Sequence, residues 1–572
     1  MTLTKLHQFI QVARGEIPAD LVLKGGKIVN VFSCEIQEAD VAVCEDRIVG
    51  FGSYQGREII DCRNRFICPG FIDGHFHIES SLLTPANLAP AILPLGTTTL
   101  IADPHEIANV QGLSGIEFLL NNSHALPLEM YFMAPSCVPA THLESSGAVL
   151  NDRDLKTLSR NPRVLGLAEM MNFPGVLFGD PEVLKKLISF QKKIKDGHAP
   201  LLSGKDLCAY VTAGIRSDHE CTRLSEAREK LALGLTVMIR QGTQAKNLRD
   251  LLPLVLSCNA RRCLLVSDDR HPEDLRQEGH LDFVLRQAVG MGLNPILAIQ
   301  MATLNPAEYF GLRHLGAIAP GYQADILILK SLSSMEVEAV FKKGKLVARQ
   351  GRYLGEPPRS SQLGEMAGMK IGNLSLEKFQ IPVQGEWAKI IELIPDQILT
   401  RKIRQKVQGK KGLVAFKPQE DILTLACVER HKGTGNVGLG LVKGFGISKG
   451  ALASSVAHDS HNILVVGRKP EELYLAVKTV EEMGGGLAVV VQGKVEARLP
   501  LPIAGLMSDQ SIETVIHQQQ QLLQAVQLTG CRLKNPFMAL SFLALPVIPE
   551  LKITDQGLVD VNRFEIVPLF ES

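Results

Sequence analysis

The chain has 572 residues, 45% of them apolar, with 61 basic against 60 acidic side chains. An apolar share of that size excludes wholesale disorder, and a net charge of +1 gives no electrostatic reason to expect a nucleic-acid partner. No apolar run approaches the ~18 residues needed to cross a bilayer, and residues 1–16 lack a signal peptide's apolar core, so a cytoplasmic protein without a membrane partner is expected. Eleven cysteines without a CxxC pair argue against a disulfide framework or a zinc ribbon and predict reduced, mostly buried thiols.

Taken in chain order, residues 19–24, 27–31, 40–44 and 47–51 are short apolar runs punctuated by turn residues, as in β-strands. Comparable runs recur at 324–329, 337–342 and 345–348, so residues 1–68 with 317–355 predict one β-sandwich domain built from both flanks. Between them, residues 69–316 alternate strand-like and helical stretches. Strands are predicted at 71–77, 97–102, 128–134, 164–170, 193–198, 215–219, 236–240 and 263–268, with helices such as 181–193 and 222–233 between them. Eight such strands predict an α/β fold, a (β/α)8 TIM-like barrel with active-site residues at its C-terminal strand ends. Residues 356–372 read as a linker. Residues 373–572 read as a C-terminal α+β domain, with strands near 413–416, 463–466, 486–491 and 495–500 and helices near 470–483 and 511–528.

The densest chemistry is Asp73-Gly-His-Phe-His-Ile-Glu79. Alternate residues of a strand share a face, so His75, His77 and Glu79 are expected to point together into the barrel mouth. Two imidazoles at i and i+2 can grip one divalent ion. Glu169, His198, His219 and Asp268 also fall at predicted strand ends. Singly, each is more often a cap or a satisfied core residue. With His75 and His77 they supply four histidines and two carboxylates at one rim, the inventory of a binuclear site with a bridging carboxylate. The glycine-rich stretch at 433–440 lacks the Lys-Ser/Thr of a phosphate loop and is better explained by turn chemistry. His458, Asp459, His461 and Asn462 are candidates either for a further metal site or for the mouth of the active site.

This order of ligands resembles the amidohydrolase superfamily, and within it the bacterial adenine deaminases. The likeness is carried by residues 69–81, Asp103-Pro-His-Glu-Ile-Ala-Asn-Val110, 166–175, 196–200, Ser217-Asp-His-Glu220 and Ser267-Asp-Asp269. In the last third it rests on 433–440, His458-Asp-Ser-His-Asn462 and 505–508, so it spans nearly the whole chain. The resemblance implies that His75, His77, Glu169 and Asp268 hold one metal, and that Glu169 bridges to a second held by His198 and His219. Two divalent ions are implied, Mn2+ or Fe2+ first and Zn2+ next. Many hydantoinase-like relatives place a carboxylated lysine where Glu169 stands, which speaks against that branch. The implied reaction is hydrolysis of adenine to hypoxanthine and ammonia in purine salvage, by attack of metal-bound hydroxide on C6. Asp268 would relay the proton to the departing amine. Ring nitrogen N1 needs a proton too, with Glu79, Asp103 and Glu106 open as its source. Asp103, Glu106, His458 and His461 are the candidate substrate contacts, and a homodimer or higher homo-oligomer follows by analogy. The alternatives are deamination of another aminopurine or related cyclic amidine, and a barrel kept for binding without turnover. The intact HxH pair and Asp268 disfavour the latter.

Overall fold

The chain is described by a computed structural model over residues 2–356, 369–394, 397–415 and 420–571. Its centre is an eight-stranded parallel barrel: β1 (Phe71–Phe76), β2 (Thr97–Ala102), β3 (Glu129–Ala134), β4 (Val164–Met170), β5 (Ile194–Gly197), β6 (Ser217–Asp218), β7 (Thr236–Arg240) and β8 (Cys263–Val266). Strands β1 to β5 pair side by side in chain order, as do β6 to β8. The two arcs meet where β5 packs beside β6, and where Phe76 pairs with Asp268 just beyond β8. A parallel sheet is covered on both faces, which is why β1, β2, β7 and β8 are buried at every position.

The segments flanking the barrel combine in one nine-stranded sheet, joined where Ile326–Leu329 runs antiparallel to Phe66–Pro69. Here the structure corrects the sequence expectation of separate strands at 19–24 and 27–31. They form one strand, Ala19–Asn30, whose register slips between Leu23 and Gly26. Gly25, with φ of +68°, supplies the bend. The first half of the strand pairs with Gly56–Asp61 and the second with Phe66–Pro69, so hydrogen bonding runs unbroken through all nine strands. A helix at Leu3–Ala13, not read from the sequence, precedes the sheet.

A lock of charges ties this sheet to the N-terminal ends of the barrel strands. Lys342 Nζ donates to Asp325 Oδ2 at 2.6 Å, to Glu129 Oε2 of β3 at 2.8 Å and to the carbonyl of Thr98 in β2 at 3.0 Å.

The expected linker, 356–372, lies mostly outside the described residues, at 357–368. The C-terminal region is built on an eight-stranded sheet with helices Pro470–Glu482 and Ile512–Thr529. One inner strand, Ile422–Val428, is buried throughout. The glycine-rich stretch is a turn and a strand: backbone N–H groups of His431, Lys432 and Thr434 all donate to the Glu429 carboxylate, occupying the donors a phosphate would need. Gly438 sits where a Cβ would come within 1.9 Å of the Thr554 carbonyl oxygen, so close packing demands glycine there. The C-terminal region closes over the barrel mouth through Ser508 N–H to Leu82 O (2.8 Å), Ser145 N–H to Asp555 Oδ1 (2.8 Å) and Asn462 Nδ2 to Ser145 O (2.7 Å). Among the described residues no helix is long and apolar enough to cross a membrane.

Candidate metal centre

Each candidate ligand sits at or just past a C-terminal strand end: His75 and His77 at β1, Glu169 in β4, His198 after β5, His219 after β6 and Asp268 after β8. All are buried except His198, which is part-exposed. Asp268 takes a left-handed backbone, φ +62°, and its N–H donates to the His75 carbonyl at 3.0 Å. Asp73 steadies both ends of that closure, accepting from Ser267 Oγ at 2.5 Å and from the backbone N–H of His75 at 3.3 Å.

The donor atoms converge. Nε2 of His75 and Nε2 of His77 face each other at 3.2 Å, and Asp268 Oδ1 lies 3.4 and 3.2 Å from them. Glu169 divides its oxygens: Oε1 is 3.6 Å from His77 Nε2, whereas Oε2 is 2.5 Å from His198 Nδ1 and 3.1 Å from His219 Nε2. Burial alone would raise the Glu169 carboxyl, but His219 and His198 hold it well below the usual carboxylate range. Two imidazole nitrogens and a carboxylate oxygen thus converge on one point. The set is one that divalent cations take, and trios such as His75, His77 and Glu169 or Glu169, His198 and His219 bring their donors close enough to hold an ion.

Glu79 departs from the alternation expected of a strand. β1 ends at Phe76, and Glu79 opens a 3-10 turn, Glu79–Ser81, that ends at left-handed Leu82. Its Oε1 accepts from the Ile107 N–H at 3.0 Å, while Oε2 is buried without a partner. Burial, and then the charge of Glu106, push this carboxyl up to about 7.

A cavity of about 300 Å³ is lined by Glu79, Ser80 and Glu106 from the barrel and by His458, His461 and Phe537 from the C-terminal region, and by none of the six candidate ligands. Of the candidate substrate contacts, Asp103 does not line it; its Oδ1 accepts from the His105 N–H at 3.1 Å, and its Oδ2 lies 3.4 Å from His105 Nδ1. Asp459 and Asn462 do not join His458 and His461 at the cavity, since Asn462 is turned to Ser145.

Two neighbours, His105 and Arg240, are not picked out by the sequence patterns. His105 lies between the centre and the cavity, Nδ1 3.6 Å from Glu169 Oε1 and Nε2 3.5 Å from Glu106 Oε1. Arg240, the last residue of β7, donates from Nη1 to Asp268 Oδ2 at 2.8 Å and also grips Glu220. Arg240 was findable by the same rule that found the ligands, a functional side chain at a barrel strand's C-terminal end.

Residues 66–347 match the Amidohydrolase family and residues 397–565 match the Adenine deaminase C-terminal domain. The chain is 51% identical over 566 residues to an adenine deaminase of Desulfatibacillum aliphaticivorans, covering 99% of each. It is 48% identical over 566 residues to an adenine deaminase of Dehalococcoides mccartyi, again covering 99% of each. An adenine deaminase of Methanothrix thermoacetophila is 48% identical over 569 residues, with 99% of this chain and 100% of that one covered.

Proposed function

The chain belongs to the adenine deaminases of the amidohydrolase family, and from that premise we propose how its residues divide the hydrolysis of adenine to hypoxanthine and ammonia. His75, His77 and Asp268 would hold one divalent ion, and His198 and His219 the other, with Glu169 shared. The observation that carries this assignment is the division of the Glu169 oxygens between His77 on one side and His198 with His219 on the other. Divalent ions bound there would lower the pKa of water and supply hydroxide near neutral pH; manganese or ferrous iron suits the mixed imidazole and carboxylate donors, and zinc would be accepted.

The remaining work is done by the protein's own groups. Arg240 grips Asp268 Oδ2 and so fixes the direction of the carboxylate, and Asp268 takes the proton of the attacking water and passes it to the leaving amine. Glu79 and Glu106 line the cavity and Asp103 does not. Glu79, whose Oε2 has no protein partner, delivers the proton to N1. Glu106, with both oxygens set against histidines, presents a fixed anionic acceptor to a purine N–H. Asp103 acts one step back, orienting His105. The enzyme serves purine salvage in the cytoplasm as a homo-oligomer, an assembly that light scattering on the purified protein would measure.

The deciding experiment is ammonia release from adenine by manganese-loaded protein, with adenosine, guanine and cytosine alongside and metal counted on the same sample. Two metals per chain, with turnover lost in Glu79→Gln and metal retained, supports the assignment. One metal per chain, or a fully active Glu79→Gln, overturns it.

A further inference from the structure

Glu106 is unusual in drawing its partners from two parts of the fold. It opens the helix His105–Asn122 that follows β2, yet its carboxylate is met by two side chains more than 350 residues away. His458 Nδ1 lies 2.7 Å from Glu106 Oε1, and His461 Nε2 is in contact with Oε2 without hydrogen-bond alignment. All three side chains are buried. The loop bearing the histidines is itself braced. His461 has φ of +54°, a backbone rarely adopted by a residue with a side chain, and Arg430 donates both to its carbonyl and to that of Ala504. Its Nδ1 accepts from the Ala457 N–H at 3.1 Å, so the ring hydrogen must sit on Nε2, turned to Glu106. The His458 ring stacks on Phe542, with centroids 4.8 Å apart.

We propose that His458 and His461 are positioning residues for the deamination: through them the C-terminal region clamps the Glu106 carboxylate and fixes its direction into the cavity. The inference rests on Glu106 meeting the substrate. It explains why the barrel's own residues leave the site incomplete. The barrel contributes only His105 to Glu106, at 3.5 Å, which would leave the carboxylate free to swing. The two rings act differently. Burial would lower His458, but Glu106 raises it to about 9, so it meets Glu106 as a cation; burial lowers His461 to about 4, so it faces Glu106 as a neutral ring.

The test uses the full-length, metal-loaded protein. Displacing an anchored group by about an ångström costs on the order of 100-fold, so His458→Ala and His461→Ala should each lower kcat/KM by roughly 10- to 100-fold with metal content unchanged. Asparagine can imitate Nδ1 and glutamine Nε2, so His458→Asn and His461→Gln should recover most of the loss; they also serve if the alanine variants fail to fold. In a Glu106→Gln background the same substitutions should change kcat/KM less than twofold. Losses that multiply in that background, or folded His458 and His461 variants with full kcat/KM, would overturn the clamp. Loss of one metal per chain from a wild type holding three would overturn it too, since the trio would then be an ion site. A Glu106→Gln variant with full activity would instead sink the assignment of Glu106 to the substrate.

Discussion

Asp268 sets its two oxygens to opposite tasks, Oδ2 held by Arg240 and Oδ1 facing His75 and His77. Replacing Asp268 by Asn keeps a ligand oxygen of the same size but removes the base. Metal content should stay near wild type while kcat falls by about 10²- to 10⁴-fold, the range of general acid–base contributions. Steady-state ammonia release with a metal count on the same sample checks this, and an unimpaired rate would remove Asp268 from the proton path. Arg240 is buried between Asp268 and Glu220. Arg240→Met would leave both carboxylates without their cation, and stability should fall by about 3–5 kcal/mol, as expected for breaking one side of a buried pair. Urea unfolding of the purified variant measures that loss; a change under about 1 kcal/mol would mean that other groups take over the pairing.

The two ends of the barrel strands carry different burdens. Their C-terminal ends hold the metal donors, whereas their N-terminal ends are pinned to the flanking sheet by Lys342, Glu129 and Asp325. Burial would raise the Glu129 carboxyl, but Lys342 and Lys343 lower it to about 2. The ordinary carboxyl value of 4.5 applies when the chain is unfolded, so the depressed folded value stabilises the native state. That contribution is fully present above pH 4.5 and is lost as pH falls through about 2. Each tenfold change in proton affinity is worth about 1.4 kcal/mol, so the contribution is on the order of 3 kcal/mol. Glu129→Gln should therefore lower stability at pH 7 by up to that amount, with wild type and variant converging near pH 2. Thermal melts across that range give the answer; a gap that persists at pH 2 would assign the effect to packing. The seam at Gly25 and Gly26 is an element-scale correction. Two apolar runs parted by glycines look like two strands in a sequence, yet a glycine at positive φ can bend one strand between two partners.

At the scale of the whole molecule, the candidate ligands come from five barrel strands, so an unfolded chain offers no preformed site. Binding energy must then appear as folding energy. Removing metal with a chelator should lower the apparent melting temperature, and manganese at about 100 times its Kd should restore about 2.7 kcal/mol. A His75→Ala, His77→Ala double variant should melt at the same temperature with and without manganese; a full metal-dependent shift in that variant would place the stabilising ion elsewhere. The C-terminal region is coupled to the same surface through Asn462, Ser508 and Asp555.

Local pattern by itself determined the barrel. Strands such as Val164–Met170 and Cys263–Val266 are short and mostly apolar, because a parallel sheet is buried on both faces, whereas Ile194–Gly197 and Ser217–Asp218 are polar and are legible only from the alternation of strands and helices around them. Histidine and carboxylate at those ends were legible for the same reason: a strand end fixes where a side chain emerges without reference to the rest of the fold. Tertiary structure alone decided what required two distant segments. Nothing in Asp103-Pro-His-Glu106 indicates that His105 reaches both Glu169 and Glu106, or that Arg240 holds Asp268. Glu79 leaves the shared face because the strand stops three residues before it and a turn redirects its carboxylate to Ile107. The meeting of Glu106 with His458 and His461 depends on how the C-terminal region seats on the barrel. Periodicity reports the direction of a side chain relative to its own element, whereas docking between elements is set by the packing of whole surfaces, which no short stretch of sequence contains.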